Sequence, residues 1–239
     1  MQVETIAYDA DVPMVGTLYL PDQRGPAPGV LVFPDIFGLG DHAHERAQRL
    51  AGLGYAALAA DLHGERRVLD IDAAMAELAG FYAEPDRPCA RGDAALAALA
   101  QHSSVDATQV AAIGFCYGGT LGLEMARRGA ALAGVVGFHS GLATTNPAGG
   151  ALIRGKILAC IGSEDPAVPH EERVAFEAEM RAAGVDWQLH LYGGVYHTFT
   201  DWRADGLGRP DIARYDAAAD ARSWAAMRAL LDEVLVRRI

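Results

Sequence analysis

The chain carries two kinds of apolar pattern. Residues 3–8 and 14–20 alternate between apolar and polar positions, which predicts two half-buried strands that pair antiparallel. Further along, the apolar residues form continuous runs, which are typical of strands buried on both faces of a parallel sheet. These runs occupy residues 29–33, 55–60, 109–115, 132–138 and 156–161, and a last strand is predicted at 187–192.

Amphipathic stretches separate most of these strands and predict helices. The capping-type Asp41 begins one helix, which ends before Gly54. Further helices are predicted at 117–128, 169–183 and 216–238. Residues 62–104 interrupt the alternation, and we expect helices there that pack over a sheet edge or over the mouth of an active site. The pattern predicts a single α/β domain over residues 1–239, with a mostly parallel central sheet, helices on both faces and an antiparallel N-terminal strand pair.

The composition narrows the class of protein. With 51% hydrophobic and 21% charged residues, the chain has enough apolar material for a sizeable core. The net charge of −11 would repel a phosphate backbone, so nucleic-acid binding is disfavoured. No secretory signal pattern begins the chain, and no window approaches the roughly 20 apolar residues of a membrane span. We therefore expect a soluble, cytoplasmic protein that does not bind membranes.

One cysteine has the surroundings of a nucleophile. Cys116 lies in the sequence Gly-Phe-Cys-Tyr-Gly-Gly, where a buried strand gives way to a helix. This is the pattern of a nucleophile elbow, a strained strand-to-helix turn whose flanking glycines avoid clashes. The helix would lower the pKa of the thiol and direct the Tyr117 backbone N–H toward a developing oxyanion. The alternative is a buried structural cysteine. The other two cysteines, Cys89 and Cys160, cannot both pair with it, and free thiols are expected.

A thiolate nucleophile needs a base, and the base needs an orienting acid. In α/β hydrolases these groups follow in the order nucleophile, acid, histidine. Asp165 leaves the end of an apolar strand and is the predicted acid, with the neighbouring Glu164 as the alternative. His197 lies in a glycine-containing loop after the last strand, and it is the histidine that satisfies both order and position.

The other histidines have different interpretations. His139 ends a predicted strand at the carboxyl edge of the sheet, where open α/β sheets build their sites, so it is a candidate for lining the pocket. His42 and His44 are interpreted as solvated, because residues i and i+2 of a helix do not share a face and a metal pair is disfavoured. The remaining four are interpreted as surface or capping groups: His63, His102, His170 and His190.

These motifs resemble the dienelactone hydrolase family of α/β hydrolases over nearly the whole chain. The sequence Phe-Pro-Asp-Ile-Phe-Gly at 33–38 resembles the family's loop after its first parallel strand, and the cysteine elbow is similar too. The resemblance implies an α/β-hydrolase fold that needs no cofactor or metal. It implies a triad of Cys116, Asp165 and His197, with an oxyanion hole from the backbone N–H groups of Ile36 and Tyr117.

Two positions depart from the family pattern. Asp35 stands where the family usually has a glutamate that contacts the resting thiol, and its side chain is one methylene shorter. Asp201 stands where the family's lactone hydrolases hold the substrate carboxylate with an arginine. An acidic group there would oppose an anionic substrate. The aromatic residues Phe37 and Trp202, near the expected mouth, suggest an apolar pocket for neutral aryl or acyl esters.

The sequence therefore predicts a hydrolase, of carboxylesterase or arylesterase type, that cleaves neutral activated esters or lactones through a thioester on Cys116. Phosphotriester hydrolysis at the same site and true carboxymethylenebutenolidase activity are the enzymatic alternatives. A redox-responsive thiol protein is the non-enzymatic one. The expected partner is a small-molecule ester, lactone or phosphotriester, and the chain is expected to act as a monomer or homodimer.

Overall fold

The computed structural model describes residues 1–23 and 25–236, and their strands form one sheet. The strands are β1 (Gln2–Asp9), β2 (Pro13–Leu20), β3 (Ala27–Phe33), β4 (Ala56–Ala59), β5 (Val105–Phe115), β6 (Gly134–Phe138), β7 (Lys156–Gly162) and β8 (Trp187–Tyr192). They lie in the order β1-β2-β4-β3-β5-β6-β7-β8. β2 pairs antiparallel with both β1 and β4, and all other neighbours are parallel. The predicted parallel sheet and antiparallel N-terminal pair are confirmed.

Helices cover both faces of this sheet, as predicted. They are α1 (Asp41–Gly52), α2 (Ile71–Ala83), α3 (Asp86–Gln101), α4 (Tyr117–Arg127), α5 (His170–Ala183) and α6 (Ala217–Val234). α1 and α6 share one apolar core with Val30 and Val32 of β3. α3, α4 and α5 share the other core with Leu31, because successive residues of a strand point to opposite faces. Among the described residues, no helix is long and apolar enough to cross a membrane.

The largest difference from the sequence pattern concerns β5. The strand begins at Val105, four residues before the predicted start, because its backbone already pairs with β3 where its side chains are polar. A shift of register between Pro28 and Gly29 of β3 accommodates this extra length. The last helix ends at Val234, and positions 237 and 238 of its predicted range lie outside the described residues.

The interruption at 62–104 forms α2 and α3. α3 packs on β1, β3 and β5, over one half of the sheet. α2 is anchored more lightly, since only Ala74 and Phe81 are buried while Ile71, Met75 and Tyr82 are exposed. α2 therefore covers the carboxyl end of the sheet with an apolar but largely solvent-facing helix.

Candidate active site

Four loops bring the predicted site residues to one edge of the sheet. Asp35 follows β3, Cys116 follows β5, Asp165 follows β7 and His197 follows β8. Parallel strands end at a common edge, so side chains that are far apart in sequence meet there. The order of the fold thus explains why the nucleophile, acid and histidine motifs can serve a single site.

The turn at Cys116 has the geometry of a nucleophile elbow. Cys116 is half-buried, with a positive φ of 51° between the end of β5 and the start of α4. A Cβ atom at Gly114 would lie 2.2 Å from the carbonyl oxygen of Gly118, and one at Gly118 would lie 2.2 Å from that of Pro34. Only glycine fits at these two positions, which holds the thiol at the tip of a tight, strained bend.

His197 joins the thiol to a carboxylate. Its Nδ1 lies 2.7 Å from Asp165 Oδ2, and its side chain is also hydrogen-bonded to Cys116. Asp165 is fully buried at its side chain and accepts a second hydrogen bond from the Ala167 backbone N–H at 2.9 Å. The alternative acid, Glu164, is exposed and accepts from the Ser163 hydroxyl instead. Asp165 is therefore the carboxylate that can orient the imidazole.

The charges at this site favour a protonated imidazole. Burial alone would lower the pKa of His197. The charge of the Cys116 thiolate, hydrogen bonds to Asp165 and Cys116, and the charge of Asp165 outweigh burial and raise that pKa to about 10. His197 therefore carries a positive charge at neutral pH, between the Asp165 carboxylate and the Cys116 sulfur.

A second loop fixes the segment that carries His197. The His197 backbone N–H donates to the Ile212 carbonyl at 3.0 Å, and the Arg214 N–H donates to the His197 carbonyl at 3.1 Å. These bonds form a short bridge between the catalytic loop and residues 209–214. Sequence reasoning missed this support, because backbone pairing leaves no residue-type signal.

His139 is buried beneath the elbow, and its ring packs against that of His197 with centroids 5.1 Å apart. It is 1% exposed, with a positive φ of 41° that turns the chain at the end of β6. Its Nδ1 accepts the Cys116 backbone N–H at 3.2 Å, and its Nε2 lies 2.8 Å from Thr200 Oγ1. Burial, reinforced by the charge of His197, lowers its pKa well below the usual value. A neutral His139 therefore supports the turn at Cys116 through its backbone N–H.

The interpretation of His42 as solvated is wrong. It is 2% exposed and packs edge-on against Phe115, with ring centroids 4.5 Å apart. Its Nε2 lies 3.2 Å from the Thr200 carbonyl, and burial followed by the charge of Arg46 lowers its pKa to about 3. His63, interpreted as a surface or capping group, is also buried. Both corrections depend on contacts between distant parts of the chain.

The predicted oxyanion donors are two backbone N–H groups, those of Ile36 and Tyr117. Tyr117 is the first residue of α4, where an N–H has no partner within the helix. In the loop after β3, the Asp35 carbonyl accepts the Gly38 N–H at 3.1 Å. The Asp35–Ile36 peptide is trans, so the Ile36 N–H points in the direction opposite to the Asp35 carbonyl. Amides held in this way can stabilise an oxyanion.

The Asp35 carboxylate is committed to its own loop. Its Oδ1 accepts the Phe37 N–H at 2.9 Å, whereas the family glutamate is expected to contact the thiol. Burial raises the pKa of Asp35 to about 6, with the Phe37 N–H opposing this shift and the charge of Asp201 adding to it. A neutral side chain at moderately acidic pH is the consequence.

Two apolar cavities are lined in part by residues that adjoin Cys116 or His197 in sequence. The first, of about 170 Å³, is lined by Phe81, Tyr82, Pro85, Cys89, Tyr117, Thr120, Leu121, Glu124 and residues 143–145. The second, of about 250 Å³, is lined by Asp35, Phe37, Gly38, Gly40, Val68, Leu69, Thr198, Asp201, Arg203, Ala204 and Leu207. Each cavity includes a direct chain neighbour of a triad residue. Phe37 is thus at the site, while Trp202 is 47% exposed and packs beside His42 and Arg203 instead.

The positive charge in the second cavity is already paired. Arg203 Nε lies 3.1 Å from Asp201 Oδ1, and its Nη2 lies 2.9 Å from Oδ2, a two-pronged ion pair. Asp201 also accepts the Arg203 backbone N–H at 2.9 Å. With Asp35 nearby, this cavity has more acidic than basic groups.

Comparisons with known proteins agree with this fold. The dienelactone hydrolase family model matches residues 14–235. A Bradyrhizobium protein named "Probable 2-oxo-3-(5-oxofuran-2-ylidene)propanoate lactonase" is 31% identical over 230 residues, covering 90% of this chain and 92% of that protein. A solved structure named m3DLH is 46% identical, with a TM-score of 0.95 and coverage of 98% of this chain and 99% of that one. The crystal structure of a dienelactone hydrolase-like promiscuous phosphotriesterase from metagenomic libraries is 41% identical, with a TM-score of 0.94 and the same coverage. The chain belongs to the dienelactone hydrolase family of α/β hydrolases and is an enzyme that hydrolyses esters or lactones.

Proposed function

We propose that the enzyme hydrolyses neutral, activated esters or lactones through a thioester on Cys116. The observation that carries this proposal is the series from Asp165 through His197 to Cys116, in which Asp165 Oδ2 lies 2.7 Å from His197 Nδ1. A thiolate paired with imidazolium is a nucleophile at neutral pH and needs no further activation.

The reaction follows from this geometry. The Cys116 thiolate attacks the ester carbonyl, forming a C–S bond while the carbonyl electron pair moves to oxygen and is stabilised by the Ile36 and Tyr117 N–H groups. His197 then donates its proton to the departing alkoxide or aryloxide, leaving a thioester. Water then attacks the thioester while His197 removes its proton, and collapse of the tetrahedral species breaks the C–S bond, which releases the carboxylic acid and restores the Cys116 thiolate. Asp165 orients the imidazole throughout. Good leaving groups are favoured, since a poor one would let the tetrahedral species expel sulfur instead.

The charge of the second cavity supports a neutral substrate. A carboxylate-bearing lactone needs a free cation, but Arg203 is paired with Asp201, and the Asp35 carboxyl loses its proton above about pH 6. Asp201→Asn would release Arg203. We expect this variant to raise kcat/KM for a carboxylate-bearing lactone by about fivefold relative to its neutral methyl ester. If the ratio of the two kcat/KM values were unchanged, the proposed preference for neutral substrates would be contradicted.

A neutral aryl phosphotriester is a second candidate substrate. The 41% identical relative is described as a promiscuous phosphotriesterase, and the same thiolate can attack phosphorus and displace an aryloxide. The product of this step is a thiophosphoryl enzyme, with the phosphoryl oxygen in the oxyanion hole. A thiolate nucleophile also requires a reducing compartment, so we propose a cytoplasmic location.

The decisive experiment is intact-protein mass spectrometry after rapid mixing with 4-nitrophenyl acetate. We expect a transient acetyl adduct that maps to Cys116 in wild type and in the control Cys160→Ala, whose thiol is sealed in β7. Cys116→Ala should form no adduct and lose at least about 10⁴-fold in kcat. Turnover within a few-fold of wild type in Cys116→Ala would rule out the mechanism, and a peroxide-induced adduct without turnover would favour the redox alternative.

A further inference from the structure

The peptide that follows the oxyanion donor is held at both ends. The Ile36 carbonyl accepts a hydrogen bond from His63 Nε2 at 2.8 Å, and the Phe37 N–H donates to Asp35 Oδ1 at 2.9 Å. The preceding peptide is fixed by the bond between the Asp35 carbonyl and the Gly38 N–H. The Ile36 N–H belongs to this preceding peptide, and the peptide on the other side of Ile36 is anchored as well. Both anchors leave the Ile36 N–H little freedom to rotate.

His63 is itself rigidly placed. The Asp61 carboxylate accepts the backbone N–H groups of His63 and Gly64, each at 3.0 Å. The ring stacks on Phe81 with centroids 5.9 Å apart and an interplanar angle of 8°, and the residue is 1% exposed. A ring held by its backbone and by a neighbouring aromatic ring can act as a fixed donor.

The chemistry of this contact also fixes the tautomer. A carbonyl oxygen only accepts, so the proton lies on Nε2. Burial lowers the pKa of His63, which keeps the ring neutral. Within the described part of the chain, the buried Nδ1 has no hydrogen-bond partner and lies 4.0 Å from the nearest Glu77 oxygen. The one N–H of the ring is thus committed to the Ile36 carbonyl.

We infer that His63 is a positioning residue that aims the Ile36 N–H at the oxyanion formed on Cys116. This inference rests on the proposed thioester mechanism. An oxyanion donor acts only when its N–H points at the developing charge, and loss of one donor costs about 10²–10³ in kcat. A donor that is present but free to turn away should therefore lose a substantial part of that stabilisation.

Two substitutions separate positioning from packing. His63→Phe keeps a ring on Phe81 but has no donor for the Ile36 carbonyl. His63→Gln loses the stacking but keeps an N–H donor of similar reach. A positioning role predicts that His63→Phe lowers kcat about 10- to 100-fold while its KM stays within about threefold of wild type. The kcat of His63→Gln should stay within about threefold of wild type. A packing role predicts the reverse order. His63→Leu replaces the Phe variant if that variant does not fold.

The readout compares two reactions of the same thiol. Acylation by 4-nitrophenyl acetate uses the oxyanion hole, whereas alkylation by iodoacetamide displaces iodide and forms no oxyanion. We expect His63→Phe to slow Cys116 acylation but to leave its alkylation rate, followed by peptide mass, within about twofold. Equal acylation in Phe and wild type, equal losses in Phe and Gln, or a parallel fall in alkylation would overturn the inference. Failure of wild-type Cys116 to acylate would instead overturn the proposed function.

Discussion

Replacing Cys116 with alanine is expected to lower the pKa of His197 from about 10 to about 8 or below. The rise from 6.5 to about 10 corresponds to about 5 kcal/mol of stabilisation of the charged imidazole. The Cys116 charge makes the largest favourable contribution, followed by the hydrogen bond to Asp165. Without the thiolate, the Asp165 carboxylate is the only one of these groups left to oppose the effect of burial on the His197 pKa. Most of the rise in that pKa should therefore be lost.

The charge of His197 also makes the stability of the folded chain depend on pH. The pKa of His197 in the folded chain lies above that of an unfolded histidine, so its charge stabilises the fold fully below about pH 6.5. This stabilisation is lost as the pH rises through about 10. The contribution of His197 to the free energy of unfolding should therefore fall over this interval.

The assay is an NMR titration of the imidazole nitrogens, with the His197 signal assigned by its absence in His197→Gln. Cys116→Ser is the matched variant, because its hydroxyl keeps a hydrogen bond to the imidazole but carries no charge. If the charge of the thiolate dominates, the His197 pKa in Cys116→Ser should lie within about one unit of that in Cys116→Ala. A wild-type imidazole that titrates near pH 6.5, or the same pKa in all three proteins, would contradict the proposed ion pair.

Three further perturbations test the site and its frame. Asp165→Asn should lower kcat about 10²- to 10⁴-fold in steady-state ester assays with little change in KM, because His197 loses its orienting acceptor at 2.7 Å; a loss below threefold would contradict this role. Gly118→Ala places a Cβ 2.2 Å from a backbone carbonyl oxygen and should cost at least about 3 kcal/mol in urea unfolding, whereas the control Gly52→Ala, with open space around it, should be neutral or stabilising. Asp35→Asn should be more stable than wild type above pH 6, by at most about 3 kcal/mol, because the raised carboxyl pKa makes ionisation of Asp35 unfavourable in the folded chain. This difference in stability should vanish below about pH 4, and urea unfolding at several pH values measures it. A pH-independent difference would show that ionisation is not its cause.

Local patterns were enough to predict much of the fold. The apolar run before Cys116 and the glycines after it identify a strand, a sharp turn and a helix from sequence neighbours alone. The order of Asp165 and His197 then follows from the chain order of parallel strands, and the structure brings both to Cys116. These features are predictable because each depends on residues that are close in sequence or on a general rule of topology.

The burial of His42 and His63, which the sequence did not predict, depends on contacts between distant parts of the chain. His42 is buried because Thr200, 158 positions away, packs against its Nε2. His63 is buried because its acceptor lies 27 positions earlier, on Ile36. A polar residue near the end of an element looks solvated until its partner is placed, and no pattern in a single sequence specifies that partner.

The light anchoring of α2 has a consequence for how this enzyme can change. Its Phe81 and Tyr82 form part of one cavity wall, yet the thiolate, the imidazole and the carboxylate all belong to loops after β5, β7 and β8. On the proposed mechanism, the part of the cavity wall that α2 supplies is thus encoded apart from the groups that break the bond. Sequence drift or directed evolution confined to α2 can reshape what the enzyme accepts while the reactive groups keep their alignment.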